Sequence, residues 1–247
     1  RVGIRLSSVC TLTYRSPPQD SRRGMRLQGQ RWRTLVSTVR LGRNEYRVVR
    51  PARPIGHAPL HEGYHGAQIT VDKAAALTLG MAWSLAARSP HTIVYLPLRH
   101  NGVGCNIYGS GKEPPLDLVL LRHSLRFPVS RWKELRAKLG SGRPHTVTCR
   151  GLPQAADLGA VFAARYHREF KDILRHDITA DTLFLVGSRT AFEVEGYALR
   201  ELVEECPQHM HERPDAHCCA EISVDGLPQW LHVEYCRVHR VTAPAAL

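Results

Sequence analysis

No apolar run in this sequence is long enough to cross a bilayer. The least polar stretch, AAALTLGMAWSLAA at 74–87, is closed by Arg88, Ser89 and Pro90, whereas a transmembrane helix needs about 20 apolar residues. A buried helix is expected there, and no membrane partner. A disulfide framework is also missing. The seven cysteines (10, 105, 149, 206, 218, 219 and 236) are odd in number and unevenly spaced, the adjacent Cys218 and Cys219 are poorly placed to bridge each other, and no signal peptide with an apolar centre is present. These features point to a reducing, cytoplasmic setting. The common nucleotide and nucleophile motifs are absent too. GVGCNIYGSGKEPP, at 102–115, holds a GxG and a GK, but Glu113 follows Lys112 where a P-loop requires Ser or Thr, and Pro114-Pro115 stops a helix from opening. Neither a P-loop nor a dinucleotide fingerprint is present. Ser188 sits in VGSRT rather than in a GxSxG elbow, so a serine hydrolase has no direct support.

Acidic residues are nearly missing from the first 56 positions. Thirteen arginines stand there against Asp20 and Glu45, a local charge of +11 within the formal +12 of the chain, which leaves the body almost neutral. Lysine is scarce throughout, five residues against 29 arginines, a bias that GC-rich coding explains without any function. Residues 1–56 are expected to form a basic, partly disordered extension with three readings. It is an arm on nucleic acid or an acidic partner, releasing counterions as each arginine meets a phosphate. It is an organelle transit segment. Or residues 1–24, which precede Met25, carry no function.

What is present is enough apolar content, 43% of the residues, for a substantial core. Residues 35–49 can supply one or two short strands, and 51–66 reads as a loop from its prolines and glycines. A short strand over 68–71 precedes a helix capped by Asp72 and running to about Ser89. Strands rich in β-branched and apolar residues follow at 91–98, 116–121, 145–149 and 182–186. Helices are expected after Ser130, over 153–175 and over 190–205. Strands at 219–224 and 231–237 flank an Asp225-Gly226 turn, a hairpin signature. The alternation predicts an α/β fold over 67–247, with a mostly parallel sheet, helices on both faces and a C-terminal antiparallel β-hairpin.

In open parallel sheets ligands bind at the carboxyl ends of strands. Arg99 and His100, Arg122 and His123, Arg150, and Ser188 and Arg189 all follow predicted strands. Guanidinium groups donate paired hydrogen bonds to phosphate and carboxylate. Arg99, Arg122, Arg150 and Arg189 are therefore candidate ligands for a small anion such as a nucleotide or phosphorylated metabolite. His100, His123 and Ser188 are the candidate catalytic groups, since imidazole titrates near neutral pH.

Two further constellations lie nearer the C-terminus. Residues 200–205, RELVEE, with Gly187 and Glu193 upstream, resemble the core of the Nudix box, whose glutamates hold magnesium against a diphosphate. The gap from Glu193 to Arg200 is one residue short of that box, and Cys206-Pro207 replaces its closing glycine; the same acids also suit a solvated helix face. Residues 206–221, CPQHMHERPDAHCCAE, are expected to form a loop. Cys206 with His209 and Cys236 with His239 form two CxxH pairs, a spacing that suits a tetrahedral zinc. Should the last strand run through Cys236, then His232, Glu234 and Cys236 share a face instead, with His209, His211 or His217 as a further ligand. Cys219-Ala-Glu221 also resembles the first half of a zinc deaminase signature, without its Pro-Cys-x-x-Cys half. Three functions are thus in play: binding of a small anionic ligand, interaction with nucleic acid through residues 1–56, and zinc-dependent hydrolysis or deamination.

Overall fold

The computed structural model describes residues 25–63, 66–101, 114–165, 167 and 169–236. They form two β-sheets with helices between and beside them. Sheet A holds β1 (Arg31–Leu41), β2 (Asn44–Pro51), β5 (Thr92–Leu96), β6 (Asp117–Arg122), β7 (Arg143–Thr148), β8 (Arg175–Ile178) and β9 (Thr182–Gly187), in the order β7-β1-β2-β5-β6-β9-β8. Sheet B holds β3 (Leu60–Gly63), β4 (Gly66–Val71), β10 (Cys219–Val224) and β11 (Leu227–Tyr235), in the order β10-β11-β4-β3. Three adjacent interior strands of sheet A, β5, β6 and β9, are buried along almost their whole length, which is why they read as continuous apolar runs.

Sheet A is mixed, which corrects the expected mostly parallel sheet. β2 pairs with β5, and β6 with β9, in parallel, whereas β1–β2, β1–β7, β5–β6 and β8–β9 are antiparallel. The connections explain the difference, because a parallel neighbour needs a crossover of a dozen or more residues. The chain between β2 and β5 is such a crossover and contains α1 (Lys73–Arg88). The described part of the connection between β5 and β6 contains no helix, and β6 returns antiparallel.

The first helix begins where the sequence places it, with Asp72 Oδ1 accepting from the Ala75 amide at 2.7 Å. Ser188 caps α4 (Arg189–Glu204) in the same way, accepting from Ala191 N at 3.0 Å. These two helices pack against each other and against strands of both sheets. Gly196 makes the approach close, since a Cβ there would stand 3.0 Å from the Trp83 ring. The Trp83 indole donates to the Phe192 carbonyl at 2.7 Å, so this buried aromatic leaves no polar atom unpaired. Alternate residues of the same strands, including Ile93, Tyr95, Val119 and Leu121, form a second cluster around Trp132 and Leu135 of α2 (Trp132–Ala137).

Several local expectations change. Ser130 does not cap α2; a 3-10 turn over Val129–Arg131 precedes it, and Arg131 occupies the cap without a side-chain bond. The long helix expected over 153–175 is broken into a 3-10 turn (Ala155–Leu158), α3 (Gly159–Arg165) and an irregular stretch that enters β8. Edge pairing wins over helical periodicity there. β8 pairs with β9, and the Leu174 carbonyl accepts from the Asp225 amide at 2.8 Å, which pins the end of the stretch. The expected loop at 206–212 is α5 (Cys206–Glu212), with Pro207 in its first turn, where a missing N–H costs nothing. The described part of the basic N-terminal segment, residues 25–56, is not set apart from the body either. β1 and β2 lie inside sheet A between β7 and β5, and Leu27 is fully buried, so pairings cross the boundary expected at residue 56. Arg31, Arg33, Arg40 and Arg47 occupy exposed strand positions beside buried Trp32, Val39, Leu41, Tyr46 and Val48.

The entry to β6 carries one buried charge. Asp117, 2% exposed, accepts from Leu98 N at 2.8 Å, the Tyr95 hydroxyl at 2.9 Å, Arg99 N and Nε at 3.1 Å, and Arg136 Nη1 at 3.3 Å. Burial and the neighbouring carboxylate push the Tyr95 phenol far above its ordinary value, so it remains a donor. Removing the carboxylate strands five donors at once. Asp117→Ala is expected to lower stability by roughly 2–4 kcal/mol, less than for a fully enclosed pair because both guanidinium groups reach solvent. Urea unfolding followed by circular dichroism checks this; an unchanged midpoint contradicts it.

Candidate metal centre

The C-terminal hairpin forms as its turn residues require. Asp225 and Gly226 take φ of 53° and 76°, the left-handed pair that matches the twist of two antiparallel strands. Ala220, Ile222 and Val224 of β10 and Leu231, Val233 and Tyr235 of β11 are buried toward the core. The intervening residues therefore point away from it. The pairing sets Cys219 opposite Glu234 and Glu221 opposite His232, and β4 places Gln68 beside His232.

His217, just before β10, completes a cluster on this outer face. One ligand atom from each of His217, Cys219 and His232 lies within 4.8 Å of the other two. Both imidazoles have a carboxylate at Nδ1: His232 pairs with Glu221 Oε1 at 2.6 Å, and His217 faces Glu234 Oε1 at 3.9 Å. The two rings are stacked, 5.6 Å between centroids and 9° apart in plane. Cys219 Sγ lies 3.6 Å from Glu221 Oε1, and Gln68 Nε2 donates to Glu234 Oε2 at 3.5 Å. The Glu221 carboxylate on Nδ1 of His232 orients that ring and leaves its Nε2 for a metal, as outer partners of histidine ligands commonly do. Two imidazoles and a thiolate suit zinc, whose bonds of about 2.0–2.3 Å require ligand atoms about 3.3–3.8 Å apart. The cluster reaches that spacing by closing about 1 Å, within the range of the exposed His217 side chain.

The cysteine and histidine pairs singled out by spacing are distributed differently. Cys206 is buried at the start of α5, and its thiol shares a hydrogen bond with Cys218. That bond and burial push Cys206 far above the ordinary thiol range, so it remains a core thiol. His209 lies on α5, half-buried, and Cys236 follows β11, with its amide donating to the Val71 carbonyl at 2.8 Å. Neither joins the group of three, and His239 lies outside the described residues. Spacing along the chain pointed to Cys206 and Cys236. Alternation across the hairpin is the signal that finds His232, Glu234, Cys219 and Glu221.

The strand-end residues are also separated, because β5 and β6 run in opposite directions. Arg99 and His100 leave one end of the sheet, while Arg122 and His123 leave the other beside Gly187 and Ser188. Arg99 is held by Asp117 and by Asp181, the latter at 2.8 Å. Ser188 donates to Asp172 Oδ2 at 2.7 Å, and Arg189 pairs with Glu193 at 2.8 Å. His100 and His123 are exposed. Arg150 borders an open cleft with Arg47 and His145. In the RELVEE helix Glu204 is engaged by Arg200 at 3.0 Å and by the distant Leu27 amide at 2.9 Å.

Among the described residues no helix is long and apolar enough to cross a membrane. Comparison of the chain with protein-family models, with curated proteins and with solved structures finds no match.

The Glu221 contact makes His232 sensitive to pH. Burial alone would lower its pKa, but the hydrogen bond and charge of Glu221, with the charge of Glu234, outweigh burial, and the net shift is upward from 6.5. A raised folded value means that the imidazolium stabilises the fold fully below about pH 6.5 and loses this contribution as pH rises through the raised value. In metal-free protein Glu221→Gln is expected to lower the His232 titration midpoint, followed by the Hε1 chemical shift; an unmoved midpoint contradicts this.

Proposed function

We propose that the protein binds one zinc-class transition metal on the outer face of sheet B through His217, Cys219 and His232. The observation that carries this reading is the convergence of three ligand atoms within 4.8 Å, with a carboxylate facing Nδ1 of each imidazole. Three protein ligands leave the fourth tetrahedral position to water, the pattern of hydrolytic rather than purely structural zinc. A zinc held by these three residues would lower the pKa of a bound water toward neutral pH. Glu221 and Glu234, which flank the two imidazoles, would be the carboxylates able to accept a proton from such a water. The function that follows is metal-dependent hydrolysis or deamination at this face.

Elemental analysis of the purified chain tests the reading. About one zinc per chain is expected, falling to background in Cys219→Ala and in His232→Ala. Cobalt substitution adds a second readout, since a thiolate ligand gives a charge-transfer band that Cys219→Ala removes. Protein that is folded and takes up no metal after dialysis against zinc overturns the proposal, as does metal retained in both variants.

A further inference from the structure

Six arginines in the body of the fold are held by acids. Arg99, Arg131, Arg136, Arg165, Arg189 and Arg200 each lie within 3.3 Å of a carboxylate. The arginines of β1, β2 and β7 follow a different rule. Arg47 on β2 and Arg150 just after β7 have no carboxylate partner among the described residues, and they border the same open cleft of about 410 Å³ together with His145. No acidic residue is among those that line it.

The cleft exists because the helical layer stops there. Arg47 and Val49 share the helix-facing side of sheet A with Thr92 and Val94 of β5, through the pairings Arg47↔Thr92 and Val49↔Val94. α1 packs on β5 and β6 and ends at Arg88, and on the same side Arg47 of β2 and its β1 partner Thr38 are exposed. Val49 and Leu85 supply an apolar floor, and the Thr148 and Ser89 side chains add hydroxyls. The end of α1 that faces this space is its electronegative one, equivalent to about half a negative charge. Two full guanidinium charges exceed it. Arg88 in the last turn offsets it further, donating to the Gly151 carbonyl at 2.6 Å.

We propose that this cleft binds a phosphate ester, held by Arg47 and Arg150 with His145 beside them, while an organic group of about nucleotide size rests on the apolar floor. The volume falls in the range of small-ligand sites, about 300–1,000 Å³. Paired guanidinium donors facing an anion with no competing carboxylate are the arrangement by which proteins recognise phosphate. The inference is independent of the metal centre, which lies on the other sheet.

Isothermal titration calorimetry with adenosine monophosphate, inorganic pyrophosphate and a 20-nucleotide single strand at physiological salt tests it. The unaltered protein is expected to bind at least one probe with Kd below about 1 mM. Arg47→Gln with Arg150→Gln should weaken that binding at least about tenfold, the loss of one or two charge-assisted bonds. Arg131→Gln with Arg126→Gln removes the same charge outside the cleft and should leave binding intact. Binding that survives His232→Ala separates the cleft from the metal centre. Adenosine monophosphate binding alone identifies a free small molecule as the source of the phosphate, and strand binding alone identifies a polymer. No binding by the unaltered protein, or equal loss in both arginine pairs, overturns the proposal.

Discussion

The fold depends on the neutralisation of Asp117. A carboxylate that is 2% exposed at the start of a central strand costs several kcal/mol unless it is paired, and the chain meets that cost with two backbone amides, a tyrosine and two arginines. Leu98 N and Arg99 N bind it from the exit of β5, so the same contact shapes the chain where it leaves β5 and aligns the start of the antiparallel β6. Arg136 brings α2 to the same point, beside the cluster that packs on Trp132. One buried charge thereby ties together two central strands and the helix beside them.

Charge compensation also divides the arginines into two populations. Those near Asp117, Glu193, Glu195 and Glu204 are structural, because each satisfies an acid that folding has partly removed from water. Arg31, Arg33, Arg40 and Arg47 sit on exposed positions of β1 and β2, strands that contain Glu45 as their one acid, whereas Arg50 donates to the Gly140 and Ser141 carbonyls. A guanidinium facing water is tolerated at no great cost, and it remains available to a ligand. Among the described residues, β1 and β2 therefore present a run of exposed arginines, one of which, Arg47, borders the open cleft.

Sheet B uses strand alternation to keep two chemistries apart. Ala220, Ile222, Leu231 and Val233 close the core against the helix pair, while Cys219, Glu221, His232 and Glu234 project from the opposite face. Because successive side chains change sides, a slip of one residue would bury two carboxylates and expose the apolar set. The register that protects the core is thus the register that assembles the cluster. Asp225 and Gly226 hold it by adopting the backbone angles that a two-residue turn demands.

Local chemistry made much of the architecture legible. Asp72 as a helix cap, the buried strands β5, β6 and β9, the Asp225-Gly226 turn and the absence of a membrane-crossing helix among the described residues all follow from interactions within a few positions. What the sequence could not determine was strand direction and partnership across distance. Arg99 and Arg122 look equivalent along the chain, yet the antiparallel β5–β6 pair sends them to opposite ends of the sheet. Cys206 and Cys236 share a metal-like spacing with nearby histidines, yet burial against Cys218 takes the first into the core, while hairpin register brings Cys219 and His232 together. Local signals specify which segments are helix or strand, because caps, turns and periodicity act over one or two turns of chain. Which side chains meet is decided by long-range pairing and burial, whose energies depend on partners far away in sequence.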